Sequence, residues 1–558
     1  MTFWQHFLRL LVRRPRPALA ALYWHITRRR VRARNRLRVA SADLGFAYAL
    51  WIDSTERNEQ LADAFKAAME KWSFRPSFTV LPYAQGPFSE QELARSLKSL
   101  ERQLYSSWGV CGEAAEPLAD RIERVEGDFL IPLRVGDALS DTALFRFAEA
   151  LQSNRTAAIL YGDHDEIGRR GRRDRPWFKP RWNEEMFLAQ DYLSGALAIE
   201  TGLGRCAAAS ASDDFDSFLL SAMSIAGNAI IHVPHILAHV SEEPDVKSPG
   251  RIAAVAKHLR HTGAECTVGP FETVKVEWPL PKKLPLVTII VPTKDKIELL
   301  RPCVEGVLER TDYSNLELLI VDNGSVEPRT AAYLEEVVKD PKVRLLTYPG
   351  PYNFSAINNF AVKHARGQYL CLLNNDTEVV TQAWLLEMMR YALRPHVAAV
   401  GAKLLYEDGS IQHAGVVIGI GEAAGHAHRF LRRGEPGYFR QPHVAQFISA
   451  VTAACLVVKK EKFVAVGGLD EVHLPVAFND VDLCLKLEAA GWRNVYVPHA
   501  VLLHHESKSR GNDIAPQNIE RYRRELRILQ ERWGTKTYDD PLHNPNLDRY
   551  SETFVIAF

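Results

Sequence analysis

Val287-Thr288-Ile289-Ile290-Val291-Pro292-Thr293-Lys294-Asp295 is the stretch that decides the fold. Its β-branched run has the continuous apolar character of a strand buried on both faces, and the four residues from Pro292 stop it. Helical periodicity then runs from Ile297 to Arg310, and Leu316 to Val321 reads as a second buried strand ending in Asp322-Asn323-Gly324-Ser325. Strand, helix, strand, with polar loops at the strand carboxyl ends, is the doubly wound α/β pattern, in which ligands bind at those ends.

A third strand, Tyr369 to Leu373, ends in Asn374-Asn375-Asp376. Hard divalent cations such as Mg²⁺ or Mn²⁺ take oxygen ligands and bridge to diphosphate oxygens, so this loop suits a metal-diphosphate complex. Asn and Asp also make ordinary turns, and it is the position after a buried strand that gives the triplet weight. Further on, Phe478-Asn479-Asp480-Val481-Asp482 opens a helix with Leu483, Leu485 and Leu487. The helix dipole alone would favour acids in that first turn. Two acids and an asparagine ahead of a cleft helix equally suit a general base that takes a hydroxyl proton, and the residues leave these readings level.

The chain also echoes itself. Asp480-Val481-Asp482, an apolar helix, Ala490-Gly491, Val495 to Val497 and Pro498-His499 are matched by Asp214-Phe215-Asp216, an apolar helix, Ala226-Gly227, Ile230 to Val233 and Pro234-His235. Gly127-Asp128-Phe129-Leu130 likewise matches Gly367-Gln368-Tyr369-Leu370. With 558 residues, two or three domains are expected. The reading is an arm over 1–40, an α/β domain over 41–275, a linker over 276–286, a second α/β domain over 287–535 and a tail over 536–558.

A net charge of +1 conceals a basic N-terminus, since no Asp or Glu precedes Asp43 while Arg28, Arg29, Arg30, Arg32, Arg34, Arg36 and Arg38 follow the apolar Phe3, Trp4, Phe7, Leu8, Leu10 and Leu11. Aromatic and leucine side chains can enter the headgroup boundary while arginines pair with anionic lipid, so peripheral attachment to an anionic membrane surface is expected, against a solvated or packed arm. No nucleic-acid-binding motif accompanies the charge. Seven scattered cysteines without a CxxC pair point to a reducing compartment. No stretch reaches the ~20 apolar residues of a membrane span and the arginines break any signal-peptide core, so the expected location is cytoplasmic.

Taken together, Val287 to Asp295, Ile320 to Ser325, Tyr352 to Asn359, Leu372 to Glu378, Ala450 to Leu456, Gly467 to Asp470 and Ala477 to Leu485 resemble the family 2 glycosyltransferases in order and spacing. The resemblance implies a GT-A fold and a nucleotide-diphosphate sugar donor. It implies that Asp376 binds a divalent metal, Mn²⁺ or Mg²⁺, in a loop that stands for the family's DxD signature. Asn374 departs from the usual first Asp of that signature, and Asn374 and Asn375 are carried over as donor contacts. Pro292, Thr293 and Asp295 would line the nucleotide pocket, Asp322 would contact the base, and Asp480 would be the catalytic base with Asn479 and Asp482 on the acceptor side. His504 would help hold the metal or diphosphate, with its neighbour His505 as the alternative, since a neutral imidazole suits Mn²⁺ beside carboxylates. The stretch from His413 to His428 resembles the loop before the acceptor side; a glycine-rich loop with solvated histidines is the alternative, favoured for His428.

The first domain then resembles a degenerate copy. Leu50 to Ser54 would be its first strand and nucleotide loop, and Arg134 stands where the second domain has Asn374, with Asp137 as the remaining acid. An arginine there repels a cation and can pair with the neighbouring carboxylate instead. Tyr161-Gly162-Asp163-His164-Asp165-Glu166 is read as structural in preference to a metal cluster. The expectation is a sugar transferase acting on a glycan or lipid-linked acceptor in cell-surface polysaccharide synthesis, inverting and metal-dependent, with a rhamnosyl donor as one candidate. A non-catalytic glycan-binding protein and a nucleotidyltransferase are the alternatives, although the latter's Gly-rich basic loop is missing near Pro292.

Overall fold

Runs of Val, Ile and Leu that can satisfy their backbone only by pairing build the central sheet of the second half. Its strands are β1 (Val287–Thr293), β2 (Leu316–Asp322), β3 (Val343–Thr347), β4 (Tyr369–Leu373), β5 (Thr377–Val379), β6 (Val397–Leu405), β7 (Cys455–Lys459) and β8 (Arg493–His504). They lie in the order β3-β2-β1-β4-β7-β6-β8-β5. The first four are parallel, β7 runs antiparallel between β4 and β6, β8 is parallel to β6, and β5 returns antiparallel on β8. This is the expected GT-A arrangement, in which the carboxyl ends of β1, β2 and β4 open on one edge.

The computed structural model describes residues 7–8, 10–11, 15–26, 46–56, 60–84, 86–168, 171–211, 214–241, 249–505 and 517–557. Phe3, Trp4 and the arginines from Arg28 to Arg38 of the basic arm lie outside them. Among the described residues, no helix is long and apolar enough to cross a membrane. The chain divides into one unit of Met1–Trp182, Gln190–His261 and His543–Phe558 and another of Asn183–Ala189 and Thr262–Leu542.

The sheet of the first unit repeats the second. Trp108–Val110, Phe78–Tyr83, Phe129–Arg134, Leu197–Glu200, Ile159–Ile167, Ile230–Val240 and Ala138–Leu139 lie side by side in that order. With β3 removed, the two orders coincide, and so does every strand direction. The likeness extends to an irregularity. Between Ala402 and Lys403 the partner on β8 jumps from Val497 to Val501, and between Gly162 and Asp163 it jumps from Val233 to Ile236. Each bulge holds a Pro-His pair that a regular ladder would not accept.

Three expectations are corrected. Leu50 to Ser54 is not a strand; it lies in helix Phe46–Thr55, where Tyr48 and Trp51, one turn apart, stack at 5.7 Å and pack on Phe178. The first strand of that unit is Phe78–Tyr83, buried throughout. The boundary falls near 261 instead of 275, and 276–286 is no loose linker: hairpin Glu265–Val268 and Val274–Glu277 belongs to the second unit, where Lys275 pairs with Glu387 and the Arg394 guanidinium lies 3.9 Å from the centre of the Trp278 ring. The tail from His543 packs with the first unit, where Asn544 Nδ2 donates to Asp163 and to the Lys179 carbonyl.

The second unit also encloses histidines that burial keeps neutral. Burial pushes His428 and His499 down to about 3 and His443 down to about 4. An unfolded chain protonates these rings near pH 6.5 and the folded chain does so only near 3 to 4, so their contribution to stability is complete above about pH 6.5 and is lost as pH falls below it. The unfolding midpoint is therefore expected to fall from pH 7 to pH 5, and His428→Gln should flatten part of that slope. A midpoint constant across that range in thermal melts would contradict the assignment.

Candidate active site

A cavity of about 610 Å³ opens where β1, β4 and the helix Asn479–Ala489 converge, a size suited to a small organic ligand. Pro292, Thr293 and Asp295 border it from the end of β1. Asp295 and Lys296 both adopt left-handed backbone, at φ 52° and 58°, which costs energy in residues with a Cβ and needs outside support. Asp295 supplies it: its carboxylate accepts from the N–H groups of Val326 and Glu327 at 2.7 and 2.8 Å, and its own N–H donates to Ser325 Oγ. Lys294 and Lys296 thereby face the cavity, a basic rim suited to an anion.

The loop after β4 carries the acidic end of the cavity. Asn375 Nδ2 donates to Thr293 Oγ1 at 3.2 Å and ties the loop to β1. Asp376, 2% exposed, lies with its Oδ1 3.2 Å from His504 Nε2. That meeting of residues far apart in sequence follows from register: Thr377 on β5 pairs with His504 on β8, and the His505 N–H donates to the Asp376 carbonyl. His504 Nδ1 donates to Gln412 Oε1 at 2.6 Å, while Nε2 accepts from Asn374 Nδ2 at 3.2 Å. His504 Nε2 and Asp376 Oδ1 therefore meet at the cavity wall, and a cation there would take the imidazole lone pair that Asn374 Nδ2 engages. Such donors suit a divalent cation of intermediate hardness whose remaining sites go to phosphate oxygens or water. Among the described residues, no group of three or more His, Cys, Asp or Glu is arranged to hold a metal by itself.

Across the cavity, Asp480 stands in the first turn of its helix, with Oδ2 accepting from the Ala453 N–H at 3.0 Å and Oδ1 from the Val481 N–H at 2.9 Å. Each oxygen keeps a further lone pair for a ligand. Asn479 borders the cavity too and donates to the Val476 carbonyl.

Four expected residues stand elsewhere. Asp322 does not line the cavity; its carboxylate is turned onto Ser325, accepting from that residue's N–H at 3.0 Å and from its hydroxyl, and Asn323 and Glu327 occupy the wall instead. Asp482 is fully buried on the opposite side of its helix, where Arg532 and Trp533 Nε1 donate to Oδ1 at 2.7 and 2.9 Å and Lys486 lies 3.1 Å from Oδ2. His505 is drawn away by Glu378 and Glu407. His428, read as solvated, is 3% exposed, and His413 is also buried; of the three histidines of that segment His426 reaches the cavity, beside Val416, Ala424 and Gly425. Gln412 and Tyr522, to which the sequence assigns no role, also line the wall, as does Tyr352 of the segment from Tyr352 to Asn359.

In the first unit the counterpart positions are spent on structure. Arg134 donates twice to Asp137, at 2.9 and 3.0 Å, the pairing expected of an arginine at that place. Tyr83 and Phe215, which correspond to Pro292 and Val481, stack at 4.3 Å. Asp214 caps its helix by accepting from the Ser217 N–H. Asp163 accepts from His232 and Asn544, and Asp165 from Tyr48, Arg173 and His239, so the acids of strand Ile159–Ile167 form an internal network.

Behind Asp480, helix Ile519–Trp533 grips the loop from Pro475 to Asp482 at two points. Fully buried Glu525 accepts from the Ala477 N–H and from Arg521, and Arg532 and Trp533 hold Asp482. Tyr522 of the same helix contributes to the cavity.

Residues 288–455 match the family described as Glycosyl transferase family 2. The chain is 41% identical over 468 residues to an uncharacterized protein, y4gI, of Sinorhizobium fredii, which spans 80% of this chain and 51% of that one. It is 35% identical over 453 residues to the O-antigen biosynthesis protein RfbC of Myxococcus xanthus, 78% of this chain and 35% of the relative. A 65-residue stretch, 12% of this chain and 21% of the relative, is 45% identical to an N-acetylglucosaminyl-diphospho-decaprenol L-rhamnosyltransferase of Mycobacterium tuberculosis. The chain thus spans about half the length of the first of these relatives and about a third of the second.

Glu525→Ala leaves the buried Ala477 N–H without its acceptor, which costs roughly 1–3 kcal/mol. The expected result is a lower unfolding midpoint together with faster hydrogen exchange across 475–482, most of it restored in Glu525→Gln, whose amide oxygen can still accept. Exchange in that loop unaltered by Glu525→Ala would show that the helix does not hold it.

Proposed function

We propose, from the premise that this chain carries a family 2 glycosyltransferase domain, that it moves a sugar from a nucleotide-diphosphate donor to a hydroxyl of a glycan or lipid-linked acceptor. The observation that carries the reading is one cavity walled on one side by Asp376 and His504 and on the other by Asp480. The relative named for O-antigen biosynthesis supports surface polysaccharide as the product class. A lipid-linked acceptor would bring the enzyme to the inner face of the cell membrane.

The nucleotide diphosphate enters between Pro292, Thr293 and the loop residues Asn323 and Glu327, where Lys294 and Lys296 attract its charge. Asp376 and His504 would hold a divalent cation, Mn²⁺ or Mg²⁺, whose chemistry is to offset the charge of the diphosphate leaving group. Gln412 positions His504: by accepting from Nδ1–H it fixes the tautomer that leaves Nε2 unprotonated, so that a cation would take the lone pair Asn374 Nδ2 otherwise engages. Asp480, oriented by two backbone N–H groups, takes the proton of the acceptor hydroxyl as that oxygen bonds to the anomeric carbon. The bond from the anomeric carbon to the diphosphate breaks, the nucleoside diphosphate leaves with the electron pair, and a single displacement inverts the configuration. The short stretch similar to a rhamnosyltransferase makes a rhamnosyl nucleotide the first donor to try.

Release of nucleoside diphosphate from a panel of nucleotide sugars, with Mn²⁺ and membrane extract as acceptor source, tests this directly. Asp376→Ala and Asp480→Ala should each lower turnover by about 10²-fold or more. Asp137→Asn, in the first unit, should leave it within about twofold, since Asp137 is engaged by Arg134. Failure of every donor to turn over would favour the glycan-binding reading, and exchange of pyrophosphate into a nucleoside triphosphate would favour a nucleotidyltransferase.

A further inference from the structure

Helix Pro15–Ile26, PRPALAALYWHI, is apolar almost all round, yet it packs Ala18 and Ala21 inward with Leu22 and presents Leu19, Tyr23 and Ile26 to solvent. Ala18 and Ala21 are fully buried against Phe7 and Leu10, with Leu11 and Leu22 alongside. Leu19, Tyr23 and Ile26, spaced i, i+4, i+7 and so aligned on one face, are 54%, 60% and 70% exposed. Tyr23 meets Trp24 edge to face at 5.2 Å, an aromatic pair of the sort that settles where apolar and polar phases meet. An ordinary surface helix of a globular protein buries its large apolar side chains and exposes polar ones. A contiguous stripe with the opposite arrangement marks a contact surface.

Charge decides what covers it. The sequence before Asp43 contains eleven arginines and no acidic residue. A second copy of so basic a segment would be repelled, and a nucleic acid would satisfy the arginines but leave Leu19, Tyr23 and Ile26 in water. An anionic bilayer surface satisfies both demands, because its headgroups attract the arginines and its acyl boundary accepts the apolar stripe. We propose that the outer face of this helix docks on anionic lipid, with Leu19, Tyr23 and Ile26 entering the headgroup boundary. This surface is independent of the cavity in the second unit, so it stands or falls apart from the transferase reading.

The test is co-sedimentation of the full chain with phosphatidylcholine vesicles, with and without phosphatidylglycerol. Binding is expected to require phosphatidylglycerol and to weaken with salt. Leu19→Glu/Tyr23→Glu/Ile26→Glu should lower the partition coefficient at least about tenfold, and the milder Leu19→Ala/Tyr23→Ala/Ile26→Ala, which keeps charge and helix propensity, should lower it in the same direction, with thermal melts and donor turnover unchanged. Wild-type binding indifferent to phosphatidylglycerol, equal partitioning of both variants and wild type, or preference for a single-stranded RNA oligonucleotide over the vesicles would each overturn the proposal.

Discussion

The antiparallel pairing of β5 with β8 is the constraint on which the site depends. β5 is only three residues long, and its register with β8 decides which β8 side chain meets the loop preceding it, a loop tied to β1 through Asn375. A shift of one residue would turn His504 to the other face of the sheet and put Leu503 or His505 opposite Thr377 in its place. The bulge at Pro498 to Ala500 sets that register, since it consumes the extra residues between Val497 and Val501. The meeting of Asp376 with His504 at the end of β4 is thus a consequence of backbone geometry some distance up β8.

The first unit preserves this scaffold, including the bulge, and removes the chemistry. Its short strand Ala138–Leu139 pairs with Ile230–Val240 as β5 pairs with β8. At the loop, however, the Arg134 guanidinium holds Asp137, and the facing wall is closed by Tyr83 on Phe215. Backbone topology is maintained by many distributed hydrogen bonds and tolerates such exchanges, whereas a cation site fails with one arginine.

Much of the second unit was legible because its signals are local. The β1 run, the helix from Ile297, the loop after β4 and the first turn at Asp480 each announce themselves within a few residues. The repeat was legible as well, through its Pro-His pairs and paired acids, although its first strand was mistaken: Tyr48 and Trp51 one helical turn apart are as apolar as a strand, and Phe78–Tyr83 had less β-branched character to distinguish it. The errors at the site arose where a side chain's direction depends on tertiary structure. Residues two apart on a helix point about 200° apart, so Asp480 and Asp482 could not both face the cavity. Asp322 was diverted by a serine three residues on, a local bond that competes with any ligand. Gln412 and Tyr522 carry no signal in sequence, because only the fold brings them to the wall.

The two halves of the cavity differ in how they are built. Pro292, Thr293, Asp295 and the loop at Asp376 lie within residues 288–455, the segment matched as family 2, whereas Asp480, His504 and Tyr522 lie beyond it. The first half is a set of strand ends fixed by the sheet. The second is an assembly: Asp480 is steadied by Ala453 on one side and by a helix held through Glu525, Arg532 and Trp533 on the other. A buried charge such as Asp482 is costly to strand, so removing helix Ile519–Trp533 would take away the Arg532 and Trp533 donors that hold it as well as release the loop. The geometry around Thr293 and Asp376 therefore comes from the strand ends of the sheet, and the geometry of the candidate base depends on a helix close to forty residues further along the chain.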